Sequence, residues 1–155
     1  MNTDKTLRIT TIDSSETEKL AEQLGQRLRG GEVIELISDL GGGKTTFVRG
    51  LAKGLGCKDR VTSPTFKISN EYKGEALTLL HYDFYRLAEP GLMKHELADV
   101  LGDEAAVIAV EWAGVIDDVL PAERISVYIK TKDEHSRYIS LHAPIGLAYS
   151  LGGLA

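Results

Sequence analysis

The segment Val33-Ile34-Glu35-Leu36-Ile37-Ser38-Asp39-Leu40-Gly41-Gly42-Gly43-Lys44-Thr45 decides the fold of this chain of 155 residues. Its first five residues are mostly apolar and β-prone, which predicts a short buried strand. Further on, Phe47, Leu51 and Leu55 form one apolar stripe, which predicts a helix closed by Gly56. Three glycines lie where the predicted strand passes into the predicted helix. A strand, a glycine-rich turn and a helix in this order are the context that a phosphate-binding loop requires.

The residue types in this loop suit the binding of phosphate. Glycines allow the backbone to turn its N–H groups onto phosphate oxygens, and the positive end of the helix dipole faces the same anion. Lys44 can reach the β- and γ-phosphates, and the Thr45 hydroxyl can bind Mg²⁺. The pattern G-x-x-x-x-G-K-[ST] is met except at its first position, where Ser38 replaces glycine. We therefore expect a nucleotide-binding loop.

Two carboxylates follow apolar runs and are candidates for metal binding or for activating water. Glu111 follows residues 107–110, a continuous apolar run that is typical of a strand covered on both faces. Such a strand would bring Glu111 beside the loop, where it could hold Mg²⁺ through water or polarise the attacking water. Asp83 follows a second such run, although Arg86 could simply neutralise it. Glu111, Asp83 and Lys44 are the candidate catalytic residues.

The remaining pattern predicts one α/β domain over residues 1–143. A helix should begin near residues 13–15, where Ser15 and Glu18 have the spacing of a capping box, and end at Gly30-Gly31. The tail 144–155 carries no charged side chain and either packs on the body or frays. Other predicted elements are a strand at 7–12, a hairpin of 65–72 with 76–84, a helix at 92–101, and an antiparallel pair of 125–129 with 138–141.

Composition and charge exclude several classes of protein. Hydrophobic residues make up 43% of the chain and charged residues 26%, and Cys57 is the single cysteine, so a disulfide framework or a cysteine-built zinc site is excluded. No apolar stretch is long enough for a membrane span, and the first residues lack a signal-peptide block, so we expect a cytoplasmic protein without membrane contact. The net charge of −5 argues against unaided binding to nucleic acid.

Charge is nevertheless distributed unevenly along the chain. Residues 44–73 carry a local charge of +5, and residues 81–123 carry −8. Two interpretations remain open. The two segments are ordinary solvated faces, or they are a basic segment that handles an anion and an acidic region that suits a metal or a basic partner.

The segment Thr62-Ser63-Pro64-Thr65 lies between the helix after the loop and the next predicted strand. In nucleotide switches this connection often carries a hydroxyl that senses the γ-phosphate and the metal. Thr62, Ser63 and Thr65 are therefore candidates for a switch-like loop. Because loops of this composition are common, a plain turn is the default interpretation when these residues are considered alone.

Four motifs together carry a resemblance to a known family. D-L-G-G-G-K-T-T-F at 39–47, T-S-P-T-F at 62–66, H-Y-D-F-Y-R-L at 81–87 and V-E-W at 110–112 occur in this order. Over roughly residues 10–142 the chain resembles the bacterial ATPase family of tRNA threonylcarbamoyladenosine biosynthesis, TsaE. The resemblance implies a P-loop NTPase-like α/β fold with a three-layer mixed sheet, ATP and Mg²⁺ as cofactors, and weak hydrolysis by the isolated protein.

The resemblance also implies partners and a role in RNA modification. The family acts with a threonylcarbamoyltransferase subunit (TsaD) and its paralogue (TsaB), and it meets tRNA only indirectly through that complex. The complex modifies the adenosine beside the anticodon. The transfer belongs to the partner, and ATP turnover by this subunit resets the complex.

By position, the resemblance assigns site residues. Thr45 and Glu111 match the magnesium site, although it leaves open whether Asp83 or Glu111 is the dominant metal carboxylate. It favours the switch-like interpretation of the segment 62–65. The residues implied to contact ATP are Ser14 near the adenine, the loop residues Leu40, Gly41, Gly42, Gly43, Lys44, Thr45 and Thr46, and Arg137 as a late contact.

Three other classes of protein compete with this interpretation. A small-molecule P-loop kinase would share the loop and the length, but residues 88–123 contain no arginine and so offer no arginine-rich lid. A GTPase would need an N-K-x-D motif, which Thr131-Lys132-Asp133-Glu134 does not supply. A non-catalytic interaction module is the third alternative, and the intact phosphate-site residues count against it.

Overall fold

The computed structural model describes residues 4–38, 43–62, 69–84, 91–111 and 118–154, and for 91–93 it describes the backbone alone. Within these ranges, no helix combines the length and the apolar character needed to cross a membrane. The helices are α1 (Ser14–Arg27), α2 (Lys44–Gly54), α3 (Gly91–Val100) and a C-terminal 3₁₀ helix (Ile145–Leu151). The strands are β1 (Lys5–Thr11), β2 (Val33–Ser38), β3 (Ser69–Lys73), β4 (Thr78–Asp83), β5 (Ala106–Glu111), β6 (Ile125–Thr131) and β7 (Arg137–Ala143).

The strands form one mixed sheet in the order β1-β7-β6-β2-β5-β4-β3. The central strand β2 lies parallel to both β5 and β6, and β4 lies parallel to β5. The hairpin β3–β4 and the pair β6–β7 are antiparallel, as the sequence predicts, and β1 closes the sheet against β7. The predicted α/β fold with a mixed sheet is confirmed. Of the first hairpin strand, predicted over 65–72, residues 65–68 lie outside the described ranges.

Helices cover both faces of the sheet at β5, and all six residues of this strand are buried. Val107 and Ala109 point into the core beneath α1 and α2. Ile108 and Val110 point the other way and pack with Leu97 of α3. The continuous apolar run is therefore explained by a strand in the middle of three layers.

The start of α1 differs from the predicted capping box. Asp13 is the N-cap residue, and its carboxylate accepts the N–H of Glu16 at 2.9 Å. The Glu16 carboxylate accepts the N–H of Ile12 at 2.9 Å. The Ser15–Glu18 box was therefore wrong by two residues. A buried hydroxyl pair between Thr11 and Thr17, 2.7 Å apart, ties β1 to the first turn and accounts for the earlier start.

The uncharged C-terminal segment lies against α1 and the sheet in residues 145–154. Leu151 and Leu154 are buried in the core beneath α1 and α2. The Nε of Arg27 donates to the carbonyl of Gly152 at 2.7 Å, and the Tyr149 hydroxyl donates to the buried Glu32 carboxylate at 2.5 Å. Burial next to this carboxylate raises the pKa of Tyr149 above its usual value.

Small residues allow α1 and α2 to cross in close contact. A Cβ atom built on Gly25 of α1 would lie 2.7 Å from the carbonyl oxygen of Leu51 and 3.1 Å from the Cα of Gly54. Gly50 of α2 meets the Cβ of Ala21 in the same way, at 2.6 Å. The two backbones therefore touch. This contact holds α2 against α1 within one helical layer.

We expect Gly25→Ala to destabilise the protein by about 1–3 kcal/mol, the usual cost of overpacking a dense contact. Gly152→Ala is the matched control, because Gly152 has a φ of −64° and the nearest atom to its Cβ lies 3.6 Å away. Urea unfolding measures both variants. Equal midpoints for the two variants would show that the helix crossing tolerates a methyl group.

Candidate functional site

The predicted passage from strand to helix is present at the loop. β2 ends at Ser38 and α2 begins at Lys44, while Leu40, Gly41 and Gly42 lie outside the described residues. Gly43 is the N-cap residue of α2 with a φ of +105°, a conformation that favours glycine. A Cβ at Gly43 would lie 3.9 Å from the Nε of Arg137, so this guanidinium stands beside the loop.

Both candidate carboxylates lie at the carboxyl edge of the sheet, next to the start of α2. Because β2, β5 and β4 run parallel, their carboxyl ends meet at one edge. The register pairs Asp83 directly with Glu111, and Glu111 with Leu36 of β2. The structure thus makes neighbours of two carboxylates that are far apart in the sequence.

The Glu111 carboxylate is buried and contacts one side chain at each of its two oxygens. Its Oε1 lies 3.6 Å from the Nζ of Lys44, and its Oε2 forms a short hydrogen bond with the Nε2 of His81. The exposed fractions of Lys44, Glu111 and His81 are 7%, 3% and 0%. A buried carboxylate is tolerable when an opposite charge and hydrogen bonds compensate for lost water, and these two neighbours supply both.

A cleft of about 140 Å³ opens beside the start of α2. Three parts of the chain form its walls: the first turn of α1, the loop with the first turn of α2, and the turn between β6 and β7. The structure therefore brings Ser14, Gly43, Thr46 and Arg137 together, although they are far apart in the sequence. The lining residues are Asp13, Ser14, Thr17, Gly43, Thr46, Glu134, His135 and Arg137.

The turn between β6 and β7 is stabilised by its own hydrogen bonds. The Asp133 carboxylate accepts the N–H groups of His135 at 3.0 Å and Ser136 at 2.9 Å, which lowers the pKa of Asp133. The Nη1 of Arg137 donates to the carbonyls of Asp133 at 3.0 Å and Ser136 at 2.8 Å. These hydrogen bonds fix the conformation of the turn, so that His135 and Arg137 line the cleft.

Thr62 lies at the end of a described segment and is bound to β3. Its carbonyl accepts the Tyr72 hydroxyl and the Asn70 side-chain amide, both at 3.1 Å, and its N–H donates to Tyr72 at 3.3 Å. Ser63 and Thr65, the other two candidates for a switch-like loop, lie outside the described residues. The near end of that connection is thus anchored to the hairpin.

The donor atoms at the sheet edge fit a magnesium ion. Thr45, in the first turn of α2, offers a hydroxyl, and Asp83 with Glu111 offers carboxylate oxygens. Mg²⁺ keeps several water ligands and takes only one or two carboxylates from a protein. Within the described ranges, no group of three or more His, Cys, Asp or Glu side chains is arranged to hold a metal ion by itself.

Some residues of the site were not identified from the sequence. In the sequence, His81 stands out only as part of the motif at 81–87. No sequence pattern indicates that Asp13, Thr17, Glu134 and His135 line the cleft. The alternation of β4 does carry a signal for His81, since residues 81 and 83 must lie on one face of the strand. The cleft residues carry no such signal, because they meet only through tertiary packing.

Comparisons with known proteins agree with this architecture. The sequence model of the family described as "TsaE: Threonylcarbamoyl adenosine biosynthesis protein TsaE" matches residues 11–139. The chain is 38% identical over 151 residues to the tRNA threonylcarbamoyladenosine biosynthesis protein TsaE of Bacillus subtilis (strain 168), covering 95% of this chain and 91% of that protein. Identity to the Aquifex aeolicus (strain VF5) protein of the same name is 37% over 139 residues, covering 88% of this chain and 96% of the relative.

A solved structure is similar as well. The crystal structure of Bacillus subtilis YdiB superposes with a TM-score of 0.76 at 34% identity, covering 97% of this chain and 95% of that chain. These matches do not support the alternative of a small-molecule kinase.

The Asp133 turn generates a prediction about pH. Because the pKa of Asp133 is lowered in the folded state, its stabilisation of the turn is present above the unfolded pKa and is lost as pH falls through the folded pKa. At neutral pH, Asp133→Ala should reduce the hydrogen-exchange protection of the His135 and Ser136 amides. Below the folded pKa, wild type and variant should converge. Glu134→Ala, in the same turn, is the control, and a loss of protection equal to that of Asp133→Ala would contradict the carboxylate's role.

Proposed function

This chain belongs to the TsaE family of threonylcarbamoyl adenosine biosynthesis proteins, and on that premise we propose that it is a Mg²⁺-dependent ATPase required for the threonylcarbamoyl modification of tRNA. The modified base is the adenosine beside the anticodon. The observation that carries the proposal is the buried contact of Lys44 with Glu111 at the start of α2. This contact brings the lysine of a phosphate loop against the carboxylate of a central strand. We place the reaction in the cytoplasm.

The cleft is the proposed site for the base and ribose of ATP. It opens beside Gly43 and Thr46, so a nucleotide whose phosphates lie on the loop can extend along the first turn of α1. Ser14 and Arg137 both line this cleft and would then lie along the nucleotide. The backbone N–H groups at the start of α2 favour the phosphates, since they lie at the positive end of the helix dipole.

Lys44 is proposed to exchange partners when ATP binds. In this structure its Nζ lies 3.6 Å from the Oε1 of Glu111. A triphosphate carries more negative charge than one carboxylate, so it attracts the ammonium group more strongly in this buried environment. The transfer of Lys44 to the phosphates leaves the Glu111 carboxylate available for a second task.

That second task is to orient or deprotonate the water that attacks the γ-phosphate. Thr45 and Glu111 are the proposed ligands of the magnesium site, with Asp83 beside them as an additional carboxylate. Mg²⁺ bound with ATP would neutralise charge that develops on the β- and γ-phosphates. Glu111 would orient the attacking water or accept its proton, since both roles need a carboxylate oxygen at this edge.

The proposed partners are the threonylcarbamoyltransferase subunit TsaD and its paralogue TsaB, which carry the transfer chemistry and bring the tRNA. Within the described residues, the arginine that lines the cleft is Arg137, and its Nη1 already donates to carbonyls of its own turn. Arg86 lies outside the described residues. We therefore propose that a partner completes the charge compensation around the transferred phosphoryl group.

Substitutions at the loop test ATP binding. Lys44→Ala should weaken the affinity for ATP roughly 10–100-fold, because a hydrogen bond to a charged group contributes about 1.5–3 kcal/mol. Thr45→Ala should lose hydrolysis with the fold retained. Lys53→Ala is the matched control, since it lies on the same helix and its 55%-exposed side chain pairs with Glu18 instead. Wild-type affinity in folded Lys44→Ala would refute the phosphate loop.

The carboxylates are tested by charge removal at constant shape. Glu111→Gln should bind ATP at least as well as wild type, because Lys44 is released from its carboxylate, and it should hydrolyse ATP ~10²–10⁴ times more slowly. Glu35→Gln, which weakens a largely buried contact with Arg124 at 3.5 Å, is the control. If Asp83→Asn abolishes turnover and Glu111→Gln barely changes it, the two roles are reversed.

Completion of the site by a partner predicts slow hydrolysis by the isolated protein and acceleration by the TsaD–TsaB complex. The acceleration can reach ~10³–10⁵ if the partner supplies an arginine finger. The exposed acidic side chains of the segment 81–123, among them Glu96, Asp99 and Asp103, are the proposed docking face, so high salt should weaken the effect. Glu96→Lys on α3 should reduce the acceleration, and Asp59→Lys, outside that segment, should not. Equal turnover with and without the complex would refute the shared site.

A further inference from the structure

His81 is a fully buried residue whose position suits a role in the reaction. It lies on β4 opposite Ala109 of β5, two residues before Asp83, which pairs with Glu111. Its Nε2 forms a short hydrogen bond with the Oε2 of Glu111. His81 therefore reaches diagonally across two parallel strands and contacts the carboxylate on the side away from Lys44.

The direction of this hydrogen bond follows from the surroundings of Glu111. The other carboxylate oxygen, Oε1, lies 3.6 Å from the Nζ of Lys44, and a carboxylate held in an ion pair accepts hydrogen bonds at its second oxygen. The Nε2–H of His81 is accordingly the donor. Among the described residues, the Nδ1 atom of His81 is buried with no hydrogen-bond partner.

Packing alone does not explain a histidine at this position. An imidazole with 0% exposure, one of whose nitrogens has no partner in the described part of the chain, is more costly to bury than a leucine of similar size. Leu79 precedes His81 on the same face of β4 and is equally buried, so an apolar residue is accommodated at such a position. What His81 supplies and leucine cannot is the donor at Nε2.

We propose that His81 is the positioning residue of the site, whose Nε2–H fixes the orientation of the Glu111 carboxylate before and after Lys44 moves to the phosphates. This inference rests on the proposed ATPase function. When the ammonium group leaves Oε1, the bond from His81 still fixes Oε2. Glu111 then presents Oε1 in one orientation to water or metal. The reaction therefore does not include the free-energy cost of fixing the rotation of this side chain.

Three substitutions separate the hydrogen bond from packing. The amide nitrogen of His81→Gln lies at nearly the reach of Nε2 and can donate to Glu111. His81→Asn carries its amide nearer the backbone, at the reach of Nδ1, and His81→Leu fills the space without a donor. We expect kcat to fall roughly 10–100-fold in the Leu and Asn variants, as for other residues that orient a ligand, and to be largely rescued in the Gln variant.

Two binding measurements distinguish positioning from general damage. Affinity for a fluorescent ATP analogue without magnesium should be unchanged in His81→Leu, since Lys44 and the cleft remain intact. The tightening of that affinity by Mg²⁺ should be smaller than in wild type, because Glu111 no longer holds one orientation. His142→Leu is the matched control, as His142 lies on β7 and pairs only with Asp4 at 3.6 Å among its ionic contacts in the described residues.

A double-mutant cycle with Glu111→Gln tests whether His81 acts through Glu111. In the Glu111→Gln background, His81→Leu should cause no further loss of kcat. The same four proteins, unfolded in urea without nucleotide, should show coupled and not additive shifts of the midpoint. This second cycle requires no ATPase activity.

The outcomes separate the two proposals. Wild-type kcat in folded His81→Leu, additive effects in both cycles, or a Gln variant as slow as the Leu variant would each overturn the role of His81. If His81→Leu does not fold, the comparison of Gln with Asn decides the same question. If wild type does not hydrolyse ATP but the urea cycle shows coupling, the proposed ATPase function fails and the hold of His81 on Glu111 is supported.

Discussion

A carboxylate buried at the edge of a sheet is the constraint on which the rest of this structure depends. Glu111 has 3% of its surface exposed, and such a group needs an opposite charge and hydrogen bonds in place of water. Lys44 supplies the charge from the first turn of α2, and His81 supplies the hydrogen bond from β4. Because the buried Glu111 carboxylate needs both of these partners in place of water, the start of α2 and the ends of β4 and β5 lie close together. They form the candidate site.

The order of strands makes this arrangement possible. β2 delivers the loop, β5 delivers Glu111, and β4 delivers Asp83 and His81, and the three strands lie side by side and parallel. Residues that are far apart along the chain thus meet at the carboxyl edge, where parallel sheets form their binding crevices. The close crossing of α1 and α2 through Gly25, Gly50 and Gly54 then sets the distance between the loop and the first turn of α1.

The antiparallel half of the sheet contributes the other wall of the cleft. β6 lies against β2, and its turn to β7 returns Glu134, His135 and Arg137 to the side of the loop. Hydrogen bonds to the Asp133 carboxylate and from Arg137 to carbonyls of the same turn stabilise it. The parallel half thus carries the groups suited to phosphate and metal, and the antiparallel half encloses the space beside them.

The sequence by itself determined the fold class, the passage from strand to helix at Lys44, the buried strand before Glu111 and the family, because each of these depends on local spacing of apolar, glycine and polar residues. Its local capping signal placed the start of α1 correctly near residues 13–15 but paired Ser15 with Glu18, whereas Asp13 and Glu16 make the capping contacts. Only the tertiary structure showed that His81 forms a hydrogen bond with Glu111, that Lys44 lies beside the same carboxylate, and that Asp13, Thr17 and the turn after β6 share one cleft. Periodicity assigns a residue to a face, but the neighbour that the face meets depends on strand order and register, which long-range packing alone decides.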